Sequence, residues 1–454
     1  MTPRTNEKPI PETPLEVSIR NLSSNGAFVG NVTGPEGSPH IGMTAFVPYT
    51  AAGETPLVQV QRMWSKHLEA EAISIPNPST DRVEPLCPHY GTCGGCHTMH
   101  LSHPAQLIAK QTMVQDSLAT GGLPELVSLV EPVVEGPEFG YRQRVTLQVT
   151  GARAGYFERR THRLMPPTAC PVTTPGIEKR IAKGIVIRGI PLDHDAQLFI
   201  EEGDNGVFGV LDIKGSPKKV AVDRIVAQLA RDFDGGQLRI GGAVKAVYGR
   251  SHVHRTIDGA EQWAVAGGFQ QANRVINEAL IQAVTDIAAD SKPQRAADLY
   301  AGAGNFAFAM AQRNIPVIAV ESNPLLAGSA KAESKRRSLN IKVHDDSVEH
   351  YVRNGAPHAE LIVADPPRAG LDTVARKLHG HGARTLVLLS CHVPAMVRDL
   401  RALLSVGWTV KSITPYDMFA QTAHVEVLTI LSREDDGEPW IDPKDLEEED
   451  IYRN

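Results

Sequence analysis

From residue 272 onward the chain alternates apolar strands with helices, and this rhythm constrains the fold more than any other feature. ANRVINEALIQAVTDIA reads as a helix, RAADLY as a strand, GNFAFAMAQ as a helix and VIAVE as a strand. PLLAGSAKAESKRRS reads as a helix, LIVADPP and TLVLLS as strands, and PAMVRDLRALLS as a helix. Such alternation winds into a parallel sheet with helices on both faces. A chain of 454 residues exceeds one ordinary core, so two to four domains are expected.

The preceding sequence has a different texture. Residues 13–75 carry short alternating runs (LEVSIR, AFVGNV, TAFVPYT, LVQVQRMW) punctuated by Gly and Pro, the pattern of a small antiparallel β-barrel. PNPSTDRVEP (76–85) reads as a linker, and HPAQLIAKQTMVQDSLA (103–119) has helical spacing. Residues 130–262 read as mixed strands and loops. Within them YRQRVTLQVTGARAGYFERRTHR (141–163) sets six arginines against one acid, Glu158, among Tyr141, Tyr156 and Phe157. Phosphate contact and stacking on folded RNA is one reading of that composition, and a solvated arginine face is the other.

Net charge is −6, which taken alone argues against a nucleic-acid partner, but its distribution is uneven. REDDGEPWIDPKDLEEEDIYRN (433–454) holds ten acids and three bases, so the rest of the chain is near +1. The tail reads as a solvated, disordered segment. No run of about 18 apolar residues and no apolar leader is present, so a cytoplasmic protein without membrane spans is expected.

Five segments carry chemistry. RAADLYAGAGNFA (295–307) is a strand, a Gly turn and a helix, and Gly302 and Gly304 allow a ligand close to the backbone. Glu321 ends the next strand, where an acid takes the ribose hydroxyls of a nucleoside. NAD and S-adenosylmethionine both suit this pattern. LIVADPPRAGLD (361–372) makes a rigid loop at a later strand end. Arg368 stands there where methyltransferases acting on exocyclic amines place an aromatic. TLVLLSCHVPAMVRDL (385–400) puts Cys391 between a strand and a helix N-terminus, a position expected to favour the thiolate and nucleophilic attack. DMFAQTAHVEVLTIL (417–431) puts Glu426 at the start of an apolar strand, a candidate general base. Finally, CPHYGTCGGC (87–96) packs three of five cysteines into ten residues, as a redox centre, zinc knot, radical-generating cluster or staple would.

Together these strings resemble the S-adenosylmethionine-dependent RNA uracil-C5 methyltransferases of the iron–sulfur-containing type. The resemblance runs from about residue 13 to 433 and rests on CPHYGTCGGC, YRQR, GYFERRTHR with TACPV, FQQAN, DLYAGAGNF, ADPPRAGLD, LLSCHVP with RDL, and DMFAQTAHVE. It implies a Rossmann-like α/β catalytic domain at 263–433. Ahead of it stand a TRAM-like, RNA-binding β-barrel at 13–75 and an α+β central domain at 76–262 with an iron–sulfur cluster; an acidic tail follows at 434–454. It implies Cys391 as nucleophile and Glu426 as base. Gln271, Asn273, Tyr300, Gly302, Asn305, Glu321, Asp346 and Asp365 would form the cofactor site. Cys87, Cys93, Cys96 and Cys170 would hold a [4Fe–4S] cluster, zinc being the disfavoured alternative. A radical enzyme, which leaves one iron without a protein ligand, is disfavoured by the fourth cysteine.

The implied substrate is a uridine in RNA, with 23S ribosomal RNA ahead of transfer RNA, and the implied state is a monomer. A non-catalytic RNA-binding paralogue and an NAD-dependent dehydrogenase are the competing readings. The first leaves Cys391 and Glu426 without a use; the second explains neither Cys391 nor the cysteine set. The sequence departs from the family pattern at Gln270, Ala301, His392 and Ala420, where the family usually has an aromatic, Cys, Asn and Pro. None of these removes a reacting group.

Overall fold

The computed structural model describes residues 7–191, 194–217, 220–268, 270–354 and 358–433. The acidic stretch 434–454 and Phe269 of FQQAN lie outside them. The N-terminal part is a closed barrel of β1 (Leu15–Leu22), β2 (Phe28–Gly34), β3 (Thr44–Val47), β4 (Leu57–Met63) and β5 (His67–Ser74), in the order β1-β2-β3-β5-β4. Alternation builds it: Leu15, Val17 and Ile19 are buried, while Glu16 and Arg20 face out. One pairing departs from the antiparallel expectation, since β3 and β5 run parallel. They are not consecutive: β4 intervenes, and it pairs with both β5 and β1.

Residues 76–85 are not a free linker. Arg82 bonds both oxygens of buried Glu54 (2.6 and 2.8 Å), Ser79 donates its N–H to the same carboxylate (2.9 Å), and Arg82 bridges to Leu101. The cysteine-rich loop is thereby fastened to the barrel. It leads into α1 (His103–Thr120), as the helical spacing indicates.

The central sheet has the order β12-β11-β10-β9-β6-β7-β8. Its strands are β6 (Arg144–Thr150), β7 (Arg153–Phe157), β8 (Leu164–Met165), β9 (Ala196–Gly203), β10 (Gly206–Ile213), β11 (Gly235–Ile240) and β12 (Ala243–Gly249). Helices α2 (Pro175–Lys183) and α3 (Val222–Asp232) each bury an i,i+4 pair, Ile177 with Ile181 and Ile225 with Leu229, in a core with Leu147, Leu198, Leu211 and Leu238. A hairpin of β13 (His252–Ile257) and β14 (Ala260–Val265) leads to the last unit.

The C-terminal sheet has the order β17-β16-β15-β18-β19-β21-β20. It comprises β15 (Ala296–Leu299), β16 (Val317–Glu321), β17 (Ile341–Asp345), β18 (Leu361–Ala364), β19 (Thr385–Ser390), β20 (Thr409–Tyr416) and β21 (Glu426–Ser432). Helices α4 (Arg274–Ser291), α5 (Asn305–Gln312), α6 (Pro324–Arg336), α7 (Val348–Arg353) and α8 (Val393–Leu404) accompany it. The first five strands in that order are parallel, as the alternation requires, and β21 and β20 close the sheet antiparallel. β15, β16 and β18 are buried throughout, which explains their unbroken apolar runs. From β15 the chain first winds outward to β17 and then returns to β18. The carboxyl ends of β15 and β18 therefore flank the switch point, where doubly wound sheets bind ligands.

Charged groups buried between segments lock α1 to this sheet. Lys110, fully buried, bonds Asp417 and the carbonyl of Phe419; His103 Nε2 bonds the same carboxylate at 2.8 Å. Burial acts to raise the Asp417 pKa, yet His103 and Lys110 hold it below the ordinary carboxylate value. Among the described residues no helix is long and apolar enough to cross a membrane.

Removing one member of a buried pair strands the other charge. Lys110→Ala is therefore expected to cost about 3–5 kcal/mol. Arg159→Ala, which breaks an ion pair to the half-exposed Glu71, should cost about 0–1 kcal/mol. Urea unfolding midpoints check this; equal losses would mean that the Lys110–Asp417 pair has no special weight.

Candidate active site

The glycine turn after β15 is built as its sequence demands. Tyr300, Gly302 and Gly304 have φ of 63°, 57° and 97°. A Cβ at Gly304 would strike the Phe308 ring at 2.7 Å, whereas one at Gly302 would meet nothing within 4 Å. Gly302 thus faces open space, and its N–H donates to Glu321 Oε2 (2.9 Å). The other Glu321 oxygen accepts from Asn323 N (2.6 Å), so backbone N–H groups fix this carboxylate at the end of β16. At the end of β18, Asp365 accepts from Gln271 Nε2 at 3.2 Å.

These residues line a cavity of about 1130 Å³, and Tyr300, Cys391 and Glu426 line it too. Cys391 follows β19, half-buried, ahead of α8. Glu426 opens β21, 3% exposed, and its Oε1 has no hydrogen-bond partner. An unpartnered buried carboxylate oxygen is costly unless a ligand or proton meets it. Burial, then the charge of Asp365, pushes the Glu426 pKa well above the ordinary glutamate value. Burial also lifts Asp365 to about 6, against the Gln271 hydrogen bond.

The expected thiolate at Cys391 is corrected by its surroundings. Burial, then Glu426 and Asp365, pushes the thiol up to about 11, and Arg368 pulls it down. A helix N-terminus contributes a partial charge, which two nearby carboxylates outweigh in a poorly solvated site. The acid-lined wall suits a cationic ligand: Glu321, Asp365 and Glu426 converge on one space. A sulfonium carries such a charge, and a cation held there lowers the thiol pKa by the same Coulombic rule.

Three expected cofactor residues do not line the large cavity. Asn273 is fully buried and caps α4: its Oδ1 accepts from Ile276 N and its amide donates to the Met418 carbonyl. It positions the helix and the 417–426 loop and lines neither cavity described here. Asn305 exchanges amide hydrogen bonds with Asn277 (2.8 and 3.0 Å) and lines a smaller adjoining cavity. Asp346 lies past β17, off the wall of the large cavity, paired with His350 at 2.6 Å. Its N–H donates to the Glu321 carbonyl, so it neighbours the site through the backbone. Sequence reasoning passed over Arg368 and His424 as site residues, although ADPPR and QTAHVE contain them; both line the large cavity.

Cys87, Cys93, Cys96 and Cys170 line the same cavity as free thiols. Backbone N–H groups of His89 and Tyr90 approach the Cys87 sulfur and that of Gly95 approaches Cys93. Tyr156 Oη stands 3.7 Å from Cys170 Sγ. Among the described residues no group of three or more His, Cys, Asp and Glu has the arrangement that holds a metal ion. The arginine-rich stretch is largely paired. Arg159 meets Glu71 (2.6 Å), Arg160 meets Glu69 (3.3 Å), and exposed Arg163 meets Glu158. Two of these pairs join the stretch to the barrel strand β5.

Sheet order, glycine turn and strand-end acid define the fold of an S-adenosylmethionine-dependent methyltransferase. The sequence model of the tRNA (Uracil-5-)-methyltransferase family matches residues 330–434. A 23S rRNA (uracil(1939)-C(5))-methyltransferase RlmD of Thiobacillus denitrificans is 29% identical over 416 residues, 86% of this chain and 95% of that protein. An uncharacterized RNA methyltransferase of Rhizobium meliloti is 29% identical over 438 residues, 92% of this chain and 99% of that protein. Among solved structures, the Pyrococcus abyssi tRNA (uracil-54, C5)-methyltransferase with S-adenosyl-L-homocysteine matches with a TM-score of 0.68 at 20% identity. That match covers 92% of this chain and 100% of that one. Over most of its length the chain is similar to RNA uracil-C5 methyltransferases, at 27–29% identity.

The electrostatics set a pH profile for the free protein. Alkylation of Cys391 by iodoacetamide, followed by peptide mass spectrometry, should rise with pH toward a midpoint near 11. Glu426→Gln removes a charge that opposes ionisation, so the midpoint should fall. An unchanged midpoint would mean that Glu426 does not act on the thiol.

Proposed function

We propose that this protein transfers a methyl group from S-adenosylmethionine to carbon 5 of a uridine in RNA, with 23S ribosomal RNA as the substrate. The observation that carries the reading is the single cavity: a thiol, an unpartnered buried carboxylate and the cofactor edge of the sheet all line it. Ribosomal RNA is preferred because relatives of nearly full length act on it by name. The barrel at 13–75 and the central unit at 76–262 would hold the RNA while the target base leaves its stack.

Carbon 5 of uracil is too weak a nucleophile by itself. The Cys391 thiol gives up its proton to solvent and the sulfur adds to carbon 6, while the electron pair of the 5,6 double bond moves toward the carbonyl, making carbon 5 an enolate carbon. Bound S-adenosylmethionine supplies an electrophilic methyl group on a sulfonium. Glu426 then takes the carbon-5 proton, the double bond re-forms, and Cys391 leaves as the thiolate. Acceptance of that proton requires Glu426 to be ionised at that moment, although the free pocket holds its pKa high.

Gln271, Tyr300, Gly302, Glu321 and Asp365 are assigned to the cofactor, with Glu321 toward the ribose. Asn305 and Asp346 would act from the margin of the site. Cys87, Cys93, Cys96 and Cys170 would hold a [4Fe–4S] cluster in a structural role; what supports this is the chemistry of four thiols lining one cavity, two of them met by backbone N–H groups.

Incubation with 5-fluorouridine-containing RNA and S-adenosylmethionine should trap a covalent adduct, because fluorine cannot leave as a proton. Cys391→Ala should form none, and an equal adduct with that variant would refute the mechanism. Glu426→Gln on ordinary RNA should accumulate the methylated adduct. Separately, anaerobically purified protein should be brown with a broad absorbance that Cys87→Ser abolishes. A colourless zinc protein would remove the cluster from the account.

A further inference from the structure

Beside the glycine turn lies a second cavity of about 60 Å³. A water takes about 30 Å³ in the liquid, so the space holds about two small polar groups. Gln271, Tyr300, Gly302 and Asp365 line both this cavity and the large one, so the two share a wall. The rest of its wall comes from α4, the glycine turn and α5, and, from the end of the central region, Arg255 on β13 and Gln262 on β14.

Arg255 is only 5% exposed. One terminal nitrogen bonds Glu201 (3.0 Å) and the Glu202 carbonyl (3.3 Å). Its Nε and its other terminal nitrogen have no partner, nor has Nε2 of Gln262. Buried donors left unpaired are rare and costly, and those of a charged group cost most. Arg144 lies close enough to feel the Arg255 charge, after burial and Glu201.

An acid, Asp365, lines the same small cavity. A guanidinium and a carboxylate bordering a space of this size are complementary to the charged end of an α-amino acid. We propose that this cavity receives the methionyl end of S-adenosylmethionine, with Arg255 and Gln262 taking the α-carboxylate and Asp365 facing the α-ammonium. The proposal rests on the reading of the large cavity as the site of that cofactor. It adds to the cofactor site a residue from outside the parallel-sheet unit, one that no glycine-turn motif contains.

Calorimetric titration of the full chain with two ligands tests it. S-adenosylhomocysteine carries the amino-acid end; 5′-methylthioadenosine keeps the nucleoside and thioether but lacks it. Wild type should bind the first more tightly. Arg255→Gln should weaken S-adenosylhomocysteine by about 10- to 100-fold, the range for a hydrogen bond to a charged group. Binding of 5′-methylthioadenosine should stay near the wild-type value, and Arg255→Lys should recover part of the loss. Because Arg255→Gln strands Glu201, the double change Arg255→Gln with Glu201→Gln serves as the variant that keeps the buried charge balanced. Equal weakening of both ligands in it would show Arg255 to be merely structural and overturn the proposal. So would unchanged S-adenosylhomocysteine binding, which would leave the cavity to water. A wild type that binds neither ligand would instead sink the cofactor reading itself, and this proposal with it.

Discussion

The arrangement depends on the buried cluster around Asp417. This carboxylate follows β20 and is held by Lys110 and His103 from α1, a helix about 300 residues earlier in the chain. It anchors the loop 417–426, which carries His424 and delivers Glu426 to its strand. The same loop receives His97 and Thr98 N–H groups at the Gln421 carbonyl, and the Tyr141 hydroxyl at the Ala420 carbonyl. Cysteine loop, central unit and catalytic sheet therefore meet on one short segment. Burying ions costs solvation that their attraction does not always repay. What the cluster gives is geometric definition, because few alternative arrangements satisfy all three charged groups at once.

That convergence explains why one cavity serves several chemistries. The switch point of the sheet supplies the cofactor edge, β19 supplies the thiol, and β21 supplies the carboxylate. The price of this concentration is electrostatic: three carboxylates and a thiol share poorly solvated space, so the thiol and Glu426 are both pushed toward their protonated forms. A cation bound among these carboxylates would relieve the repulsion, so its occupancy and the ionisation of the Cys391 thiol would be linked events.

Much of the fold was legible because its signals are local. Unbroken apolar runs such as LIVA and TLVLLS mark buried parallel strands, and the positive φ at Gly302 and Gly304 is a demand that glycine meets. Weaker signals failed for physical reasons. IKVHD forms the edge strand β17, partly exposed, so its pattern is diluted with polar residues. Residues 76–85 look like a linker because Pro and Ser dominate them, yet distant Glu54 pins them. The arginine stretch reads as an open basic surface, but Glu69 and Glu71 on β5 neutralise two of its arginines.

The sequence alone determined the parallel-sheet unit and the residue types at Cys391 and Glu426. These follow from spacing within short segments, where backbone geometry dictates period and conformation. Only the tertiary structure decided that the thiol is held protonated, that Asn273 caps a helix instead of lining the cavity, and that Arg255 borders the cofactor edge with donors to spare. Charge state and hydrogen-bond partnership depend on groups far away in the chain, and Coulomb's law acts through space without regard to sequence distance.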